Sequence, residues 1–299
     1  MPELPDIVVY LEALERRIGG QTIRGFRVAS PSVLRTYDPP HDSVVGTTVV
    51  GLRRIGKRIV WDLDDGKALV VHLMVAGRLK WTDKRGGVIP KKVGLCAWDF
   101  DHGMLLLTEQ GTKKRAGVWV FADAAKADAE DRGGVEPLEA SPEEFESALR
   151  RENRTLKRAL TDPRIFSGIG NAFSDEILWE AGLSPVKRTS QLEGDEVRRL
   201  YEATRASLIR WTELLREQVG EGWPDKVTAF RPEMGVHGRF GEPCPRCGSK
   251  VQRIVYAENE TNYCATCQTG GKLLADRSLS RLLKDDWPRT IEDLEERAF

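Results

Sequence analysis

Four of the five cysteines lie in one short stretch of the chain, and this cluster constrains the fold more than any other feature. Cys244 and Cys247 form one C-x2-C pair, and Cys264 and Cys267 form a second pair after sixteen intervening residues. Two residues between ligands allow one tight turn to direct both thiolates at one ion, a spacing typical of tetrahedral Zn²⁺. Four thiolates leave no open coordination position, so we expect one structural zinc ion. The intervening residues 250–263 are long enough for a hairpin.

Length and composition exclude several classes of protein. The 299 residues suffice for one large domain or two to three small ones, and 40% hydrophobic residues can bury a core. No run of about 18 apolar residues occurs, so no membrane-spanning segment is predicted. The N-terminal residues include Glu3 and Asp6 but no basic stretch, which argues against a secretion signal and predicts a cytoplasmic protein. Cys96 stands alone, so no disulfide framework is expected.

The charges cancel in number but are unevenly distributed along the chain. There are 46 basic and 46 acidic residues, whereas nucleic-acid binders are usually basic. Acidic residues concentrate in segments 123–152 and 285–296, and basic residues in segments 53–58 and 113–115. Such runs indicate either one positive and one negative face or ordinary solvated charge, and both interpretations stay open at this point.

Hydrophobic patterning divides the chain into three regions. Residues 5–18 repeat apolar side chains at helical spacing, and the β-rich runs that follow predict a sandwich or barrel. The predicted strands are residues 25–28, 47–52, 58–63, 68–73, 95–100 and 118–121. Helical patterning starts at Ser141, a capping residue followed by proline and two acids, and continues with breaks to about residue 219. The cysteines follow, and residues 273–299 have helical composition interrupted by Pro288.

Three further segments change the interpretation of the N-terminal Met-Pro-Glu-Leu-Pro, which alone is most simply a helix lead-in. They are Lys57 within Arg-Ile-Gly-Lys-Arg, residues 160–171 followed by Asp-Glu, and the Gly-Glu-Pro-Cys-Pro-Arg-Cys of residues 241–247. In this order and spacing, from Pro2 to Gln268, the chain resembles the formamidopyrimidine-DNA glycosylase and endonuclease VIII family.

The resemblance implies an α+β fold built from three domains. An N-terminal catalytic β-sandwich flanked by helices is expected over residues 1–135. A helix–two-turn–helix DNA-binding domain is expected over residues 136–235, and a C-terminal zinc finger with an extension over residues 236–299. The hydrophobic pattern independently predicts the same order of regions.

The resemblance also implies a bifunctional DNA glycosylase and abasic-site lyase of base excision repair. Removal of Met1 exposes the secondary amine of Pro2, and an α-amino group with a pKa of about 8 is partly neutral and nucleophilic near pH 7. This amine attacks C1′ of a damaged nucleotide and releases the base, and the resulting iminium ion allows the 3′ phosphate to leave by elimination. By resemblance, Glu3 is the acid/base that helps to open the sugar ring, and Lys57 is a hairpin lysine that contacts the phosphate.

The implied partner is double-stranded DNA that contains a damaged base or an abasic site, bound by a monomer. Backbone amides of a glycine-containing turn at Gly170 can approach a phosphate closely, and Asn171 can donate from its side chain. Lys157 matches a family lysine that contacts DNA near the lesion. The residues that match the family positions filling the gap left by an extruded base are Lys114, Arg115 and Met74.

The chain departs from the family pattern at several positions. Asn259 stands where the zinc hairpin usually carries arginine, and Lys272 or Arg277 could substitute for it. Residues 113–116, Lys-Lys-Arg-Ala, replace an Arg-Phe pair, and Met74 lies one position early.

These departures, together with Asp6 in place of the more usual glutamate, leave the target base open. A catalytically weak binder of damaged or structured DNA is the alternative function. An RNA- or protein-binding zinc module would explain the finger but not the N-terminus.

Overall fold

The computed structural model describes residues 1–256, 259–275 and 288–296, except for the side chains of Tyr256 and Glu295. The chain forms two compact units. One comprises Met1–Arg132 and Trp211–Thr228, and the other comprises Gly133–Arg210 and Ala229–Phe299. The domain boundaries at residues 135 and 235 stay a prediction. Within the described ranges, no helix is both long enough and apolar enough to cross a membrane.

Helix α1 (Leu4–Ile18) begins the first unit, as its apolar spacing predicted. It has proline in its first turn, and its fully buried face includes Ile7, Tyr10 and Leu14. A proline in the first turn removes an amide that would have no partner within the helix. The helix ends at Ile18 and is capped by Gly19, which is followed by a left-handed Gly20 with φ +69°.

The strands of this unit form two four-stranded antiparallel sheets. The first has the order β1 (Gly25–Val28), β6 (Gly94–Phe100), β7 (Gly103–Glu109) and β5 (Gly77–Thr82). The second has the order β2 (Val49–Ile55), β3 (Arg58–Leu63), β4 (Ala68–His72) and β8 (Gly117–Phe121). All six predicted strands are present, whereas β5 and β7 were not predicted. The β6–β7 hairpin has only two residues in its turn, Asp101 and His102.

One hydrophobic core joins both sheets and α1. Trp61 of β3 and Trp98 of β6 are fully buried, and their ring centroids are 5.1 Å apart. Side chains from two sheets therefore interdigitate, which is the packing of a β-sandwich. The α+β class with an N-terminal sandwich is confirmed.

Acidic residues in and just after helix α2 (Ala124–Asp128) form ion pairs with basic residues of β2 and β3. Arg53 of β2 pairs with Asp128 at 2.6 Å, and Arg58 of β3 pairs with Glu130 at 3.1 Å. The basic and acidic runs thus partly neutralise each other and do not form wholly separate faces.

The second unit is helical before it reaches the cysteines. Its helices are α3 (Pro142–Arg150), α4 (Leu156–Thr161), α5 (Asn171–Ala181) and α6 (Gly194–Val219), of which α6 continues into the first unit. The predicted start at Ser141 is confirmed, because its side chain accepts from the Glu144 amide and the Glu144 carboxylate accepts from the Ser141 amide. This reciprocal pair satisfies two amides at the helix end.

The predicted zinc hairpin is also present. Strands β9 (Gln252–Tyr256) and β10 (Asn259–Tyr263) pair antiparallel, and the short helix α7 (Ala265–Thr269) follows. Asn259, which stands in place of the family arginine, is exposed at the start of β10.

The C-terminal extension packs back on this hairpin through helix α8 (Ile291–Glu296). Leu273 and Ile291 are buried against Ile254 and Tyr263. The Tyr263 hydroxyl accepts a hydrogen bond from the Leu274 amide at 2.8 Å.

Of the two residues suggested as substitutes for the missing arginine, Lys272 and Arg277, only Lys272 lies within the described residues. Lys272 forms an isolated β-bridge with Thr290 in the extension. Arg277 lies outside the described residues, as do residues 276–287 of the predicted helical tail.

Candidate active site and nucleic-acid interface

The N-terminal residues are fixed in place by the first turn of α1. Glu3 is the N-cap residue, and its backbone amide donates to the Asp6 carboxylate at 3.0 Å. The Glu3 side chain faces the Asp6 amide in return, so the two acids form a capping box. Pro2, Glu3 and Asp6 are all buried. Asp6, one of the departures from the family pattern, therefore holds Glu3 at the helix end.

Lys57 lies at the tip of the β2–β3 hairpin. Ile55 pairs with Arg58, so Gly56 and Lys57 form a two-residue turn, and Gly56 has the left-handed φ of +59° that such a turn requires. Burial lowers the pKa of Lys57, and the charge of Glu3 opposes this shift. The structure therefore brings two predicted catalytic residues, Glu3 and Lys57, close enough for their charges to interact.

The terminal amino group occupies the same neighbourhood. It belongs to Met1 here and would belong to Pro2 after removal of Met1. Burial lowers the pKa of the Met1 amino group, Glu3 opposes this shift, and Arg78 and Lys57 reinforce it. An amine in these surroundings carries less positive charge at neutral pH than a solvated one, which favours nucleophilic attack.

Sequence reasoning missed Arg78, a single arginine within β5 that belongs to no motif. Its Nε donates to the Val227 carbonyl at 2.6 Å, and its Nη1 donates to the Gly77 carbonyl at 2.6 Å. These hydrogen bonds fix a permanent positive charge close to the terminal amine.

The loop between β4 and β5 carries Met74 in a left-handed conformation with φ +53°. This conformation costs roughly 1–2 kcal/mol for a residue with a side chain. The Gly77 amide donates to the Leu73 carbonyl at 2.8 Å, and the Met74 amide donates to Nδ1 of His72 at 3.1 Å. A Cβ atom on Gly77 would lie 2.2 Å from the Leu73 carbonyl oxygen, so only glycine fits there. Two hydrogen bonds and a glycine thus determine the shape of the loop.

The loop between β7 and β8 is organised by the buried carboxylate of Glu109. This carboxylate accepts from the Arg115 amide at 2.7 Å and from the Ala116 amide at 3.0 Å. The Lys114 ammonium donates to the Glu109 carbonyl. Arg115 is exposed, whereas Ala116 belongs to the sandwich core. Ala116, which stands where the family pattern has an aromatic residue, therefore packs inward.

In the second unit, Lys157 contacts both the buried acid Asp175 and the start of α5. The Lys157 ammonium donates to Oδ1 of Asp175 at 2.6 Å and to the Asn171 carbonyl at 2.5 Å. Gly170 is the N-cap of α5, and the Asn171 amide group donates to the Glu260 carbonyl of the zinc hairpin at 3.0 Å. Lys157 therefore joins α4 to α5, and Asn171 joins α5 to the hairpin, while Gly170 caps α5.

We expect Lys157→Ala to lower the free energy of unfolding of this unit by about 3 kcal/mol, because it leaves a buried carboxylate without its cation. The Lys157 side chain is 12% exposed and that of Asp175 is 0% exposed, so solvent screens the pair little. Urea unfolding measures the loss, and Asp175→Asn in the same chain should recover part of it. Arg158→Ala on the exposed face of the same helix is the control and should change stability by less than about 0.5 kcal/mol. An unchanged midpoint for Lys157→Ala would mean that the ion pair contributes nothing.

Two adjacent acids of α5, Asp175 and Glu176, form hydrogen bonds with the segment that precedes the zinc finger and with strand β10. Oδ2 of Asp175 contacts Nδ1 of His237 at 2.8 Å and accepts from the Asn262 amide at 3.1 Å. The Glu176 carboxylate accepts from the amides of Gly235, Val236 and His237 at 2.7–2.9 Å. Burial raises the pKa of Glu176, and the three amides oppose that shift. Glu176 therefore satisfies the amides of this turn.

The four cysteines of the two C-x2-C pairs converge, and their sulfur atoms all lie within 4.8 Å of one another. The Sγ atoms of Cys244 and Cys267 are 4.0 Å apart, and those of Cys247 and Cys264 are 3.4 Å apart. Zinc with Zn–S bonds of about 2.3 Å in a tetrahedron needs sulfurs about 3.8 Å apart, so the cluster fits one ion. Trp179 of α5 donates its indole N–H to Cys244 Sγ at 3.4 Å. With four protein ligands, this is a structural zinc site.

One class of DNA glycosylases combines a β-sandwich, a helix–two-turn–helix region and a four-cysteine finger. Three family models of that class match this chain. They are the formamidopyrimidine-DNA glycosylase N-terminal domain over residues 1–117, the H2TH domain of the same enzymes over 134–216, and the zinc finger found in FPG and IleRS over 241–270. A formamidopyrimidine-DNA glycosylase from Carboxydothermus hydrogenoformans is 32% identical over 276 residues, 90% of this chain and 100% of that protein. The chain belongs to the formamidopyrimidine-DNA glycosylase family.

Solved structures from Lactococcus lactis agree with this assignment. A complex of the wild-type enzyme with DNA containing N7-benzyl-Fapy-dG has a TM-score of 0.79 and 26% identity, and the match covers 90% of this chain and 100% of that one. A complex with DNA containing an abasic site has a TM-score of 0.78 and 25% identity, covering 89% and 99%. The three family models leave residues 271–299, the C-terminal extension, unmatched.

Proposed function

We propose that this chain is a bifunctional DNA glycosylase and abasic-site lyase of base excision repair that acts through the secondary amine of Pro2. The observation that carries the proposal is that the terminal amino group and Lys57, both partly buried, lie within range of the charge of the buried Glu3. Family membership supports the glycosylase reaction, and the relatives solved with damaged DNA support the substrate class. The enzyme would act as a monomer on chromosomal DNA in the cytoplasm.

In the proposed reaction, the Pro2 nitrogen forms a bond to C1′ while the bond from C1′ to the base breaks, and the base leaves with a proton. Glu3 exchanges a proton with the sugar ring oxygen as the ring opens to an iminium ion. The iminium withdraws electrons from the adjacent C2′–H bond, so loss of that proton expels the 3′ phosphate. Lys57 contributes a cation at the phosphate.

The remaining predicted residues are assigned to binding. Lys157, Gly170 and Asn171 would contact phosphates near the lesion, because they surround the N-terminal end of α5, where amides and the helix dipole attract anions. Lys114, Arg115 and Met74 would occupy the gap in the duplex. The zinc ion would hold the hairpin against DNA without taking part in the chemistry.

Borohydride trapping on abasic DNA tests the proposal, because the reagent reduces the iminium ion to a stable covalent adduct. We expect an adduct of one protein and one DNA strand, and a nicked strand when borohydride is omitted. A catalytically weak binder would shift the DNA in a gel without forming either product. The absence of both a gel shift and a trapped adduct would exclude both functions.

The order of substrates is a separate prediction: abasic site first, oxidised pyrimidine second, and 8-oxoguanine opposite cytosine third. Extruding a base costs a few kcal/mol, which inserted side chains must offset. Ala116 packs into the core, and Lys114 lacks the planar fork with which arginine pairs bidentately with a base edge. An abasic site has no base to extrude, so it depends least on these missing groups.

A side-by-side nicking assay on three duplexes of one sequence measures this order. A duplex with an undamaged cytosine pair is the control for non-specific cleavage. If 8-oxoguanine is excised as fast as the abasic site is cleaved, other side chains must fill the gap.

A further inference from the structure

Trp179 is a residue of helix α5 that contacts the cysteine cluster directly. It lies in the last turn of α5, is partly buried, and donates its indole N–H to Cys244 Sγ at 3.4 Å. Its side chain packs against the same hydrophobic cluster that contains Cys244 and Cys264. The sequence motifs do not mark Trp179, and the proposed reaction gives it no task.

The hydrogen bond to Cys244 becomes stronger when zinc is bound. Zinc binds cysteine as the thiolate, so the acceptor sulfur is ionised in the metal-bound protein. A hydrogen bond to an ionised acceptor is roughly twice as strong as one to a neutral acceptor. The four thiolates together carry more negative charge than one Zn²⁺ balances, which favours a donor beside them. The indole N–H therefore stabilises the zinc-bound state more than the metal-free state.

The turn between the first two cysteines contacts Trp179 in return. Arg246 lies within this turn, and its guanidinium donates to the carbonyls of Trp179 at 3.0 Å and Glu180 at 3.4 Å. The guanidinium carbon is 4.6 Å from the centre of the Trp179 ring, which is a cation–π contact. A cation at the last carbonyls of a helix also complements the helix dipole. Helix α5 and the finger therefore exchange hydrogen bonds beside the metal ligands.

Gly235 determines the position of the Trp179 ring. A Cβ atom on Gly235 would lie 2.5 Å from the six-membered ring of the indole, so a larger residue would displace it. The Gly235 amide donates to the carboxylate of Glu176 at 2.7 Å, about one turn earlier in α5. The indole is therefore confined in an orientation that directs its N–H at Cys244.

We propose that Trp179 is a positioning residue of the zinc site, whose indole N–H couples zinc binding to the packing of α5 against the finger. Because such coupling is reciprocal, α5 raises the affinity for zinc, and zinc stabilises the position of α5. The same helix begins at Asn171, for which a phosphate contact is proposed above, so zinc would also affect DNA binding through α5. Only this last consequence rests on the proposed function.

Trp179→Phe in the full-length protein tests the coupling, because phenylalanine keeps an aromatic ring beside Arg246 and removes the donor. Competition with a chromogenic chelator measures the dissociation constant for zinc, which we expect to rise about tenfold, as when a partner of a metal ligand is lost. Trp81→Phe is the matched control, because the Trp81 indole donates to Asp83 at 2.7 Å in the sandwich. It should leave the zinc affinity unchanged. Unchanged affinity in Trp179→Phe, or an equal loss in Trp81→Phe, would overturn the proposal.

A spectroscopic readout separates the hydrogen bond from the packing of the ring. In protein with ¹⁵N-labelled tryptophan, the Trp179 indole N–H signal is identified by its loss in Trp179→Phe. It should shift when cadmium replaces zinc, because its acceptor sulfur is bonded to the metal, whereas the Trp81 signal should stay in place. A Trp179 signal that is the same with both metals would contradict the proposal.

Gly235→Ala covers the case in which Trp179→Phe folds poorly. It displaces the indole ring without removing the donor, and it should also weaken zinc binding. The double variant Gly235→Ala/Trp179→Phe should lose less zinc affinity than the two single losses combined, because both changes act on one hydrogen bond. Unchanged zinc affinity in Gly235→Ala, or additive losses in the double variant, would count against the proposal.

The outcome for the proposed function is separate from these measurements. A wild-type protein that shows the coupling but forms no borohydride adduct would contradict the proposed chemistry and leave the role of Trp179 standing.

Discussion

Pro2→Gly should reduce the yield of the borohydride-trapped adduct by about a hundredfold, the loss expected when a reacting atom shifts by about 1 Å. Pro2 is buried beside the Glu3 cap, so its ring fixes the nitrogen relative to Glu3. Glycine leaves a primary amine on a flexible backbone, which forms the iminium less readily. Denaturing gels quantify the adduct, and mass spectrometry of its N-terminal peptide identifies the attached nitrogen.

Pro5→Ala is the matched control for this prediction. Pro5 is also a buried proline, but it lies in the first turn of α1, and its nitrogen remains in a peptide bond when Met1 is removed. It should trap nearly as well as the wild type. Equal trapping by Pro2→Gly and the wild type would mean that another amine is the nucleophile.

Cys264→Ser should abolish zinc binding and unfold the finger while the sandwich stays folded. Cys264 is fully buried, and its Sγ accepts from the Cys267 amide at 3.4 Å besides serving as a zinc ligand. Structural zinc contributes on the order of 10 kcal/mol to the folding of small modules, more than the apolar contacts of the finger can replace. The measured zinc content should fall from one ion per chain to none, and the affinity for DNA should fall with it.

Cys96→Ala provides the comparison, because Cys96 is buried in β6 of the sandwich and far in sequence from the cluster. It should keep one zinc ion and full DNA binding while losing about 1 kcal/mol of stability in the sandwich. A zinc content that survives Cys264→Ser would show that three thiolates suffice.

The features that local sequence determines were the predictable ones. Two C-x2-C pairs position four thiolates through tight turns, and the Ser141 cap and the apolar stripe of α1 specify helix ends within a few residues. Alternating and apolar runs marked six strands, because side chains alternate between the faces of a sheet.

The rest depends on contacts between residues that are distant in sequence. Arg78 approaches the terminal amine only because β5 lies in the same unit as α1, and no local pattern marks it. Ala116 packs inward because Glu109 binds the loop amides, and the sequence pattern there suggested only a missing aromatic side chain. His72 and Met74 lie two residues apart, but the left-handed conformation of Met74 and its hydrogen bond to the His72 ring are visible only in coordinates.

The paired acids Asp175 and Glu176 have a consequence for the order in which the chain folds. Their partners in the segment before the finger and in β10 lie 59 to 87 residues further along the chain. A growing chain that has been synthesised only as far as α6 therefore contains Glu176 without the three amides that it accepts from, and Asp175 with Lys157 but without its partners His237 and Asn262. Burying them at that stage would be unfavourable, so we expect α5 to dock fully only after the finger has emerged from the ribosome. Chains that stop before the finger should accordingly be targets for proteolysis.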